Sequence, residues 1–125
     1  MELNATTVTC TEDENNIIIV GFSNNKNFVI LQYSAEFDEQ DLANGWSQYY
    51  LEISSLGGSY SCIDTIELYS DNLNIKLNKN GVKKFTSDFV NIKFFLLEAQ
   101  WSELEIFLVK IFENDKSVNF KVMKS

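Results

Sequence analysis

The clearest regularity along the chain is an alternation of apolar and polar residues with a period of two. In residues 73–77 every second residue is apolar, and residues 49–53 show the same alternation with Tyr50 and Glu52 between the apolar positions. Successive side chains of a β-strand point to opposite faces of the sheet. Both segments are therefore predicted to be strands with one face toward a core and one toward water.

Two longer apolar runs predict a central hairpin. Residues 17–22 are continuously apolar and rich in β-branched side chains, and residues 28–33 carry apolar side chains on both faces. The Asn-rich residues 24–27 between them are typical of a tight loop. We expect the first of these strands to be buried on both faces. Further strands are predicted at residues 6–10, 63–69, 90–94 and 118–122, whereas Gly57-Gly58 is interpreted as a turn.

One segment has helical periodicity. Ser102 and Glu105 have the spacing of a capping box, and Trp101 and Ile106 stand at the positions of a hydrophobic staple. The apolar residues that follow recur at helical spacing: Leu104, Phe107, Leu108 and Ile111. These signals predict a long C-terminal helix over about residues 103–113, with a further short helix near residues 38–44. The fold class is α+β: an antiparallel-rich sheet of about six to eight strands packed against that helix.

The size and the net charge of the chain limit the classes of protein to which it can belong. With 125 residues and 45% hydrophobic residues, the chain is predicted to fold as a single domain over residues 1–125. A net charge of -8 disfavours binding to nucleic acid or to anionic lipid, so a charged partner is expected to be cationic. No apolar run approaches the length that would span a bilayer or form a signal peptide, so we expect the protein to act in the cytoplasm.

The missing residue types exclude much enzyme chemistry. The chain contains no His and no Arg, since all ten basic residues are Lys. Without imidazole there is no Ser-His or Cys-His nucleophile pair and no His-containing zinc site. Cys10 and Cys62 allow one disulfide, but a lone pair in a chain that is not exported is more often reduced, so we interpret both as reduced thiols and Cys62 as a core residue. We therefore expect no catalytic residue, no metal and no cofactor.

The densest cluster of charge lies between the predicted central hairpin and the strand at residues 49–53. It contains four carboxylates, followed by three aromatic residues: Glu36, Asp38, Glu39 and Asp41, then Trp46, Tyr49 and Tyr50. Three interpretations are weighed. A site for a divalent cation is not expected, because the spacing of oxygen ligands matches it poorly. The other two are a solvated acidic loop or short helix, and a partner interface. In an interface the carboxylates steer a basic partner and the aromatic rings anchor it.

Paired carboxylates also raise the alternative of a glycosidase, in which two acids flank the scissile bond. Glu52, Asp64 and Glu67 lie on predicted strands, where they would have to face one another. Acids on the wet face of a sheet are far more often solubilising residues.

Several of these segments together resemble a known family. The resemblance is carried by residues 30–32, 37–41, Gly45, 49–53, 58–60, Ile63 and 73–77, in this order. Over about residues 17–112 the chain resembles the Immunity protein 10 family of bacterial polymorphic-toxin systems. The acidic loop and the aromatic-acidic strand after it are the most specific part. Where the resemblance leads us to expect glycines before Ile63, this chain has Ser61 and Cys62.

The resemblance implies a non-enzymatic antidote that binds and neutralises a cognate toxin C-terminal domain. In the cytoplasm, toxins that act on nucleic acid carry basic clefts, so we expect a basic nuclease domain as the partner, blocked at its active site or substrate cleft. The expected contact residues are the four carboxylates and three aromatic residues defined above. The alternatives are a protein-binding module of another system, a carboxylate-based glycosidase-like enzyme and a carrier of small apolar ligands.

Overall fold

A computed structural model of the protein describes residues 1–34 and 49–123. Within these residues the chain forms ten strands in two sheets of five, and two helices. The first sheet contains β1 (Glu2–Asn4), β7 (Ile63–Leu68), β8 (Asn72–Leu77), β9 (Phe89–Lys93) and β10 (Asn119–Val122). The second contains β2 (Thr7–Glu12), β3 (Ile17–Ser23), β4 (Phe28–Ser34), β5 (Tyr49–Ile53) and β6 (Gly57–Tyr60). The helices are α1 (Lys79–Phe85) and α2 (Glu98–Phe112). The α+β class is confirmed, with two sheets where one was expected.

The second sheet is an antiparallel meander in the order β2-β3-β4-β5-β6. The predicted hairpin between β3 and β4 is confirmed, and Asn24 closes its loop because its Oδ1 accepts hydrogen bonds from the backbone N–H groups of Lys26 and Asn27, both at 2.8 Å. The expectation that the first strand is buried on both faces is wrong. Alternate residues of β3 are buried, whereas Ile17 and Ile19 on the other face are only half-buried.

The first sheet has the order β1-β9-β8-β7-β10. Its three central strands are antiparallel, but β1 pairs with β9 and β10 pairs with β7 in parallel. Neither parallel pair was predicted, because the partners are distant in sequence and local periodicity carries no information about pairing. Strand β1 was also missed, since three residues are too few to show a period.

The inner faces of the two sheets and one side of α2 form one apolar core. Helix α2 contacts β2 and β3 of the second sheet and β10 of the first. Phe112 near its end makes an edge-to-face contact with Tyr49 at 5.3 Å between ring centroids, and stacks on Phe120 at 6.2 Å. Since Tyr49 and Phe120 belong to different sheets, the helix joins the two layers through this aromatic cluster.

Helix α2 begins earlier than predicted. Its first residue is Glu98, and Gln100 Oε1 accepts a hydrogen bond from Leu97 N at 3.0 Å, so the capping group is Gln100 rather than the predicted Ser102. Trp101 is buried within the first turn, where its Nε1 donates to the carbonyl oxygen of Tyr69 at 2.9 Å. The predicted apolar face is otherwise confirmed, with Leu104, Leu108 and Ile111 buried and Phe107 half-buried.

Helix α1 was not predicted, because its seven residues include Asn, Gly and three Lys and have no clear apolar period. Asn78 caps it: Oδ1 accepts from Gly81 N at 3.1 Å, while Nδ2 donates to the carbonyl oxygen of Ser61 at 2.8 Å. A Cβ atom on Gly81 would collide with the carbonyl oxygen of Cys62 and lie 2.9 Å from Leu77 Cβ. The close approach of α1 to the chain between β6 and β7 therefore requires glycine here.

We expect Gly81→Ala to lower the free energy of unfolding by about 1–3 kcal/mol, because backbone atoms must move to admit the methyl group. Urea denaturation monitored by Trp fluorescence measures the loss. Gly21→Ala is the matched control, since the contact nearest its added methyl group is Thr9 Oγ1, a side-chain atom that can rotate away. Equal stabilities of the two variants would contradict this account of α1.

Candidate functional site

Most of the sequence-predicted contact residues lie outside the residues that the structure describes. This applies to Glu36, Asp38, Glu39, Asp41 and Trp46, and to the predicted short helix near residues 38–44. The strand register shows at which end of the second sheet the segment that carries these residues begins and ends. Ile17 pairs with Ser34, and Tyr33 pairs with Tyr49, so residues 34 and 49 lie at the same end of the second sheet as the β2–β3 turn. That turn exposes Asp13 and Glu14, which places negative charge at this end.

Tyr49 lies in the core. Its side chain is 1% exposed, its hydroxyl accepts a hydrogen bond from Ile63 N at 2.9 Å, and its ring packs on Phe112. Burial of this phenol raises its pKa far above the usual range, because the charged phenolate would be desolvated. Tyr49 therefore ties the start of β5 to the start of β7, and its ring is not at a surface that a partner reaches.

Tyr50, the next residue, is half-buried on the opposite face of the same strand. It pairs in register with Tyr60 of β6, and the two rings lie 5.0 Å apart between centroids. The ring of Tyr50 also covers Gly58, where a Cβ atom would collide with it. Partial burial, the carboxylate of Glu52 and the neighbouring Tyr60 all raise the pKa of Tyr50. Tyr50 and Tyr60 thus form an aromatic pair on the outside of the sheet.

This aromatic pair belongs to a larger apolar surface, which we call the outer face of the second sheet. At its β2 edge it carries Thr7, Thr9 and Thr11, and its larger side chains are Ile17, Ile19, Phe28, Ile30, Gln32, Tyr50, Glu52 and Tyr60. Of these larger side chains, Tyr60 is 39% exposed, the other seven are half-buried, and Glu52 carries the only charge among them. The outer face of the first sheet is different, since it bears mainly Asn, Lys and Glu. An apolar, aromatic surface of this kind is typical of protein contacts.

The carboxylates that would form a glycosidase pair do not face one another. Glu52 lies on the outer face of the second sheet, whereas Glu67 lies on the opposite, outer side of the first. Asp64 is exposed on the same strand as Glu67. Because the shared core separates Glu52 from Glu67, these two carboxylates cannot flank a single glycosidic bond.

The two thiols are poor nucleophiles. Cys62 is fully buried, as predicted for a core residue, and burial raises its pKa to about 12. Cys10 is half-buried, and burial together with the carboxylate of Glu103 raises its pKa to about 11. Both are therefore protonated at neutral pH. Within residues 1–34 and 49–123, no group of three or more Cys, Asp or Glu side chains is arranged to hold a metal ion.

Helix length bears on membrane insertion. Of the two helices in the described part of the chain, neither is long and apolar enough to cross a bilayer.

Comparison with known protein families shows to which family the chain belongs. The family model described as Immunity protein 10 matches residues 4–102. The chain belongs to the Immunity protein 10 family. The match confirms the resemblance noted from the sequence, and it runs from the end of β1 to the first turn of α2, including the outer face of the second sheet. No curated protein and no solved structure matches the chain.

Proposed function

We propose that this protein is an immunity protein that binds a cognate toxin domain in the cytoplasm and neutralises it by occluding its active site or substrate cleft. The observation that carries the proposal is the family match over residues 4–102. An inhibitor of this kind needs a surface that complements its target and no catalytic machinery of its own. The missing imidazole, the protonated thiols and the separated carboxylates are consistent with that requirement.

The proposed contact surface combines charge with aromatic side chains. The acidic residues Glu36, Asp38, Glu39 and Asp41 steer a basic toxin domain, such as a nuclease, and Trp46 and Tyr50 act as anchors. Two observations in the described residues support this placement. Asp13 and Glu14 add negative charge at the end of the second sheet where residues 35–48 are attached. Tyr50 and Tyr60 extend an apolar surface from that end across the outer face. Steering and anchoring then act on adjacent parts of one interface.

Co-expression with the toxin tests the proposal. The toxin is expected from a neighbouring gene that encodes a large exported protein with a variable C-terminal domain. We expect co-expression of this protein to restore growth of cells that produce the toxin domain, and the two purified proteins to form a stable complex. A toxin domain of different sequence from another locus serves as the control for specificity. Failure of the cognate pair both to bind and to restore growth would overturn the proposed function.

A further inference from the structure

The positive charge of this acidic protein is concentrated around one short helix. Residues 76–84 contain four of the ten lysines and no carboxylate, in a chain whose net charge is -8. Lys79, Lys83 and Lys84 are exposed on α1, and Lys76 is exposed at the end of β8 just before it. The described residues therefore contain a local basic surface that differs in sign from the charge of the whole molecule.

Two of these lysines, Lys79 and Lys83, line an open groove between α1 and the strands β7 and β8, and Lys84 follows Lys83 in the last turn of α1. The groove is lined by Asp64, Leu77, Asn78, Lys79, Val82 and Lys83. Its apolar lining residues are Val82, which is half-buried, and Leu77, which is 4% exposed, and Lys79 and Lys83 add positive charge. Asp64 is the one carboxylate among the lining residues. We call this feature the lysine groove.

The lysines of the groove have no ionic partner within the described part of the chain. The ion pair found there joins Lys110 to Glu12 at 3.2 Å, on α2 and β2. Lysines in the last turn of a helix stabilise it through the helix dipole, and this effect accounts for Lys83 and Lys84. It does not account for Lys79, which is the first residue of α1, where the dipole disfavours a positive charge.

Helix α1 lies beside β6, the edge strand of the second sheet. Helix α1 contacts β6, and a Cβ atom on Gly57 of that strand would lie 3.3 Å from Lys84 Nζ. The next residues of β6 are Gly58, covered by Tyr50, and then Ser59 and Tyr60. Lys84 thus lies near the β6 edge of the second sheet, whereas Asp13 and Glu14 are exposed at the β2–β3 turn.

We infer that the lysine groove binds an acidic segment of the toxin domain, whose carboxylates pair with Lys79, Lys83 and Lys84 while an apolar side chain contacts Leu77 and Val82. This inference rests on the proposed function and adds a second, oppositely charged contact to it. A partner that presents basic and acidic patches in the matching order docks in one orientation only. A nucleic acid fits less well, because the groove is mainly apolar and the molecule as a whole repels a long polyanion.

Neutralisation of the lysines with a matched control tests the inference. The groove variant carries Lys79→Gln, Lys83→Gln and Lys84→Gln, and the control carries Lys26→Gln, Lys93→Gln and Lys116→Gln, three exposed lysines elsewhere. Both lose the same charge. Because exposed ion pairs contribute a few-fold each, we expect the groove variant to bind the toxin about ten-fold more weakly than the control at low salt, with the difference disappearing at high salt. A variant with only Lys79→Gln leaves the last turn of α1 unchanged, so weaker toxin binding by this variant cannot come from loss of the lysines that stabilise the end of the helix.

The outcomes separate the inference from the proposed function. Equal toxin binding by wild type, control and groove variant overturns the inference and leaves the proposed function intact. If the wild type binds no toxin, the proposed function fails, and a fluorescent peptide of alternating Glu and Leu then tests the groove alone. Peptide binding that the groove variant loses supports the acidic-segment chemistry. Absence of peptide binding, or stronger binding of a single-stranded oligonucleotide at the same site, overturns it.

Discussion

Neutralising the four carboxylates of residues 36–41 is expected to slow association with the cognate toxin by about ten-fold at low salt, with little change in the dissociation rate. The variant carries Glu36→Gln, Asp38→Asn, Glu39→Gln and Asp41→Asn. Long-range attraction between oppositely charged surfaces raises the rate of encounter by roughly 10- to 1000-fold, and salt screens it. Stopped-flow association rates at several salt concentrations measure both the rate and its salt dependence.

A control for this experiment must change the net charge equally at other positions. Glu2, Asp71, Asp88 and Glu113 are exposed and lie away from the outer face of the second sheet, so Gln or Asn at these four positions gives the same total charge. If local steering is correct, the control retains most of the wild-type rate. If the wild type and the variant neutralised at residues 36–41 have equal association rates and equal salt dependence, steering by these residues is excluded.

Phe112→Ala is expected to lower the free energy of unfolding by about 3–5 kcal/mol, the range typical of large aromatic side chains removed from a core. The ring of Phe112 is 2% exposed and lies between Tyr49 of the second sheet and Phe120 of the first. Its removal leaves a cavity where α2 joins the two layers. Urea denaturation measures the loss. The control is Ile106→Ala on the same helix, where the side chain is 54% exposed, and it should change the free energy of unfolding by only about 0.5 kcal/mol or less.

A loss below about 1 kcal/mol for Phe112→Ala would mean that the layers are joined without this cluster. Phe112 and Phe120 both lie beyond residue 102, where the family match ends. The core of this chain is therefore completed by residues outside the matched region. A truncation after residue 102 would remove most of α2 and all of β10 together with this cluster.

The strands with clear alternation were predicted correctly because their periodicity is a local property. In β5 and β8 every second residue faces the core, as the sequence indicates, and Leu51 and Ile75 are fully buried. The same holds for α2, whose apolar face could be read from helical spacing, although its start could not. The start depends on Gln100 bonding to Leu97 N and on the site where Trp101 is buried.

The segments that were missed depend on contacts distant in sequence. Gly57-Gly58 was interpreted as a turn, but β6 forms there because Gly58 pairs with Glu52 and leaves room for the ring of Tyr50. Helix α1 likewise depends on Gly81 packing against the carbonyl oxygen of Cys62. In both cases glycine is used for close approach, and nothing in the neighbouring residues indicates what approaches it.

For the candidate contact surface, too, some features follow from the sequence alone and others only from the tertiary structure. The sequence by itself determined the acidic, His-free and Arg-free composition, the alternating strands, the family resemblance and the adjacency of Tyr49 and Tyr50, since these follow from residue identity and local spacing. The tertiary structure decided that Tyr49 is buried against Phe112 while Tyr50 pairs with Tyr60 outside, and that Lys79 and Lys83 line a groove beside α1. A strand sends neighbouring side chains to opposite faces, and only the packing of the second sheet against its partner layer decides which face becomes core.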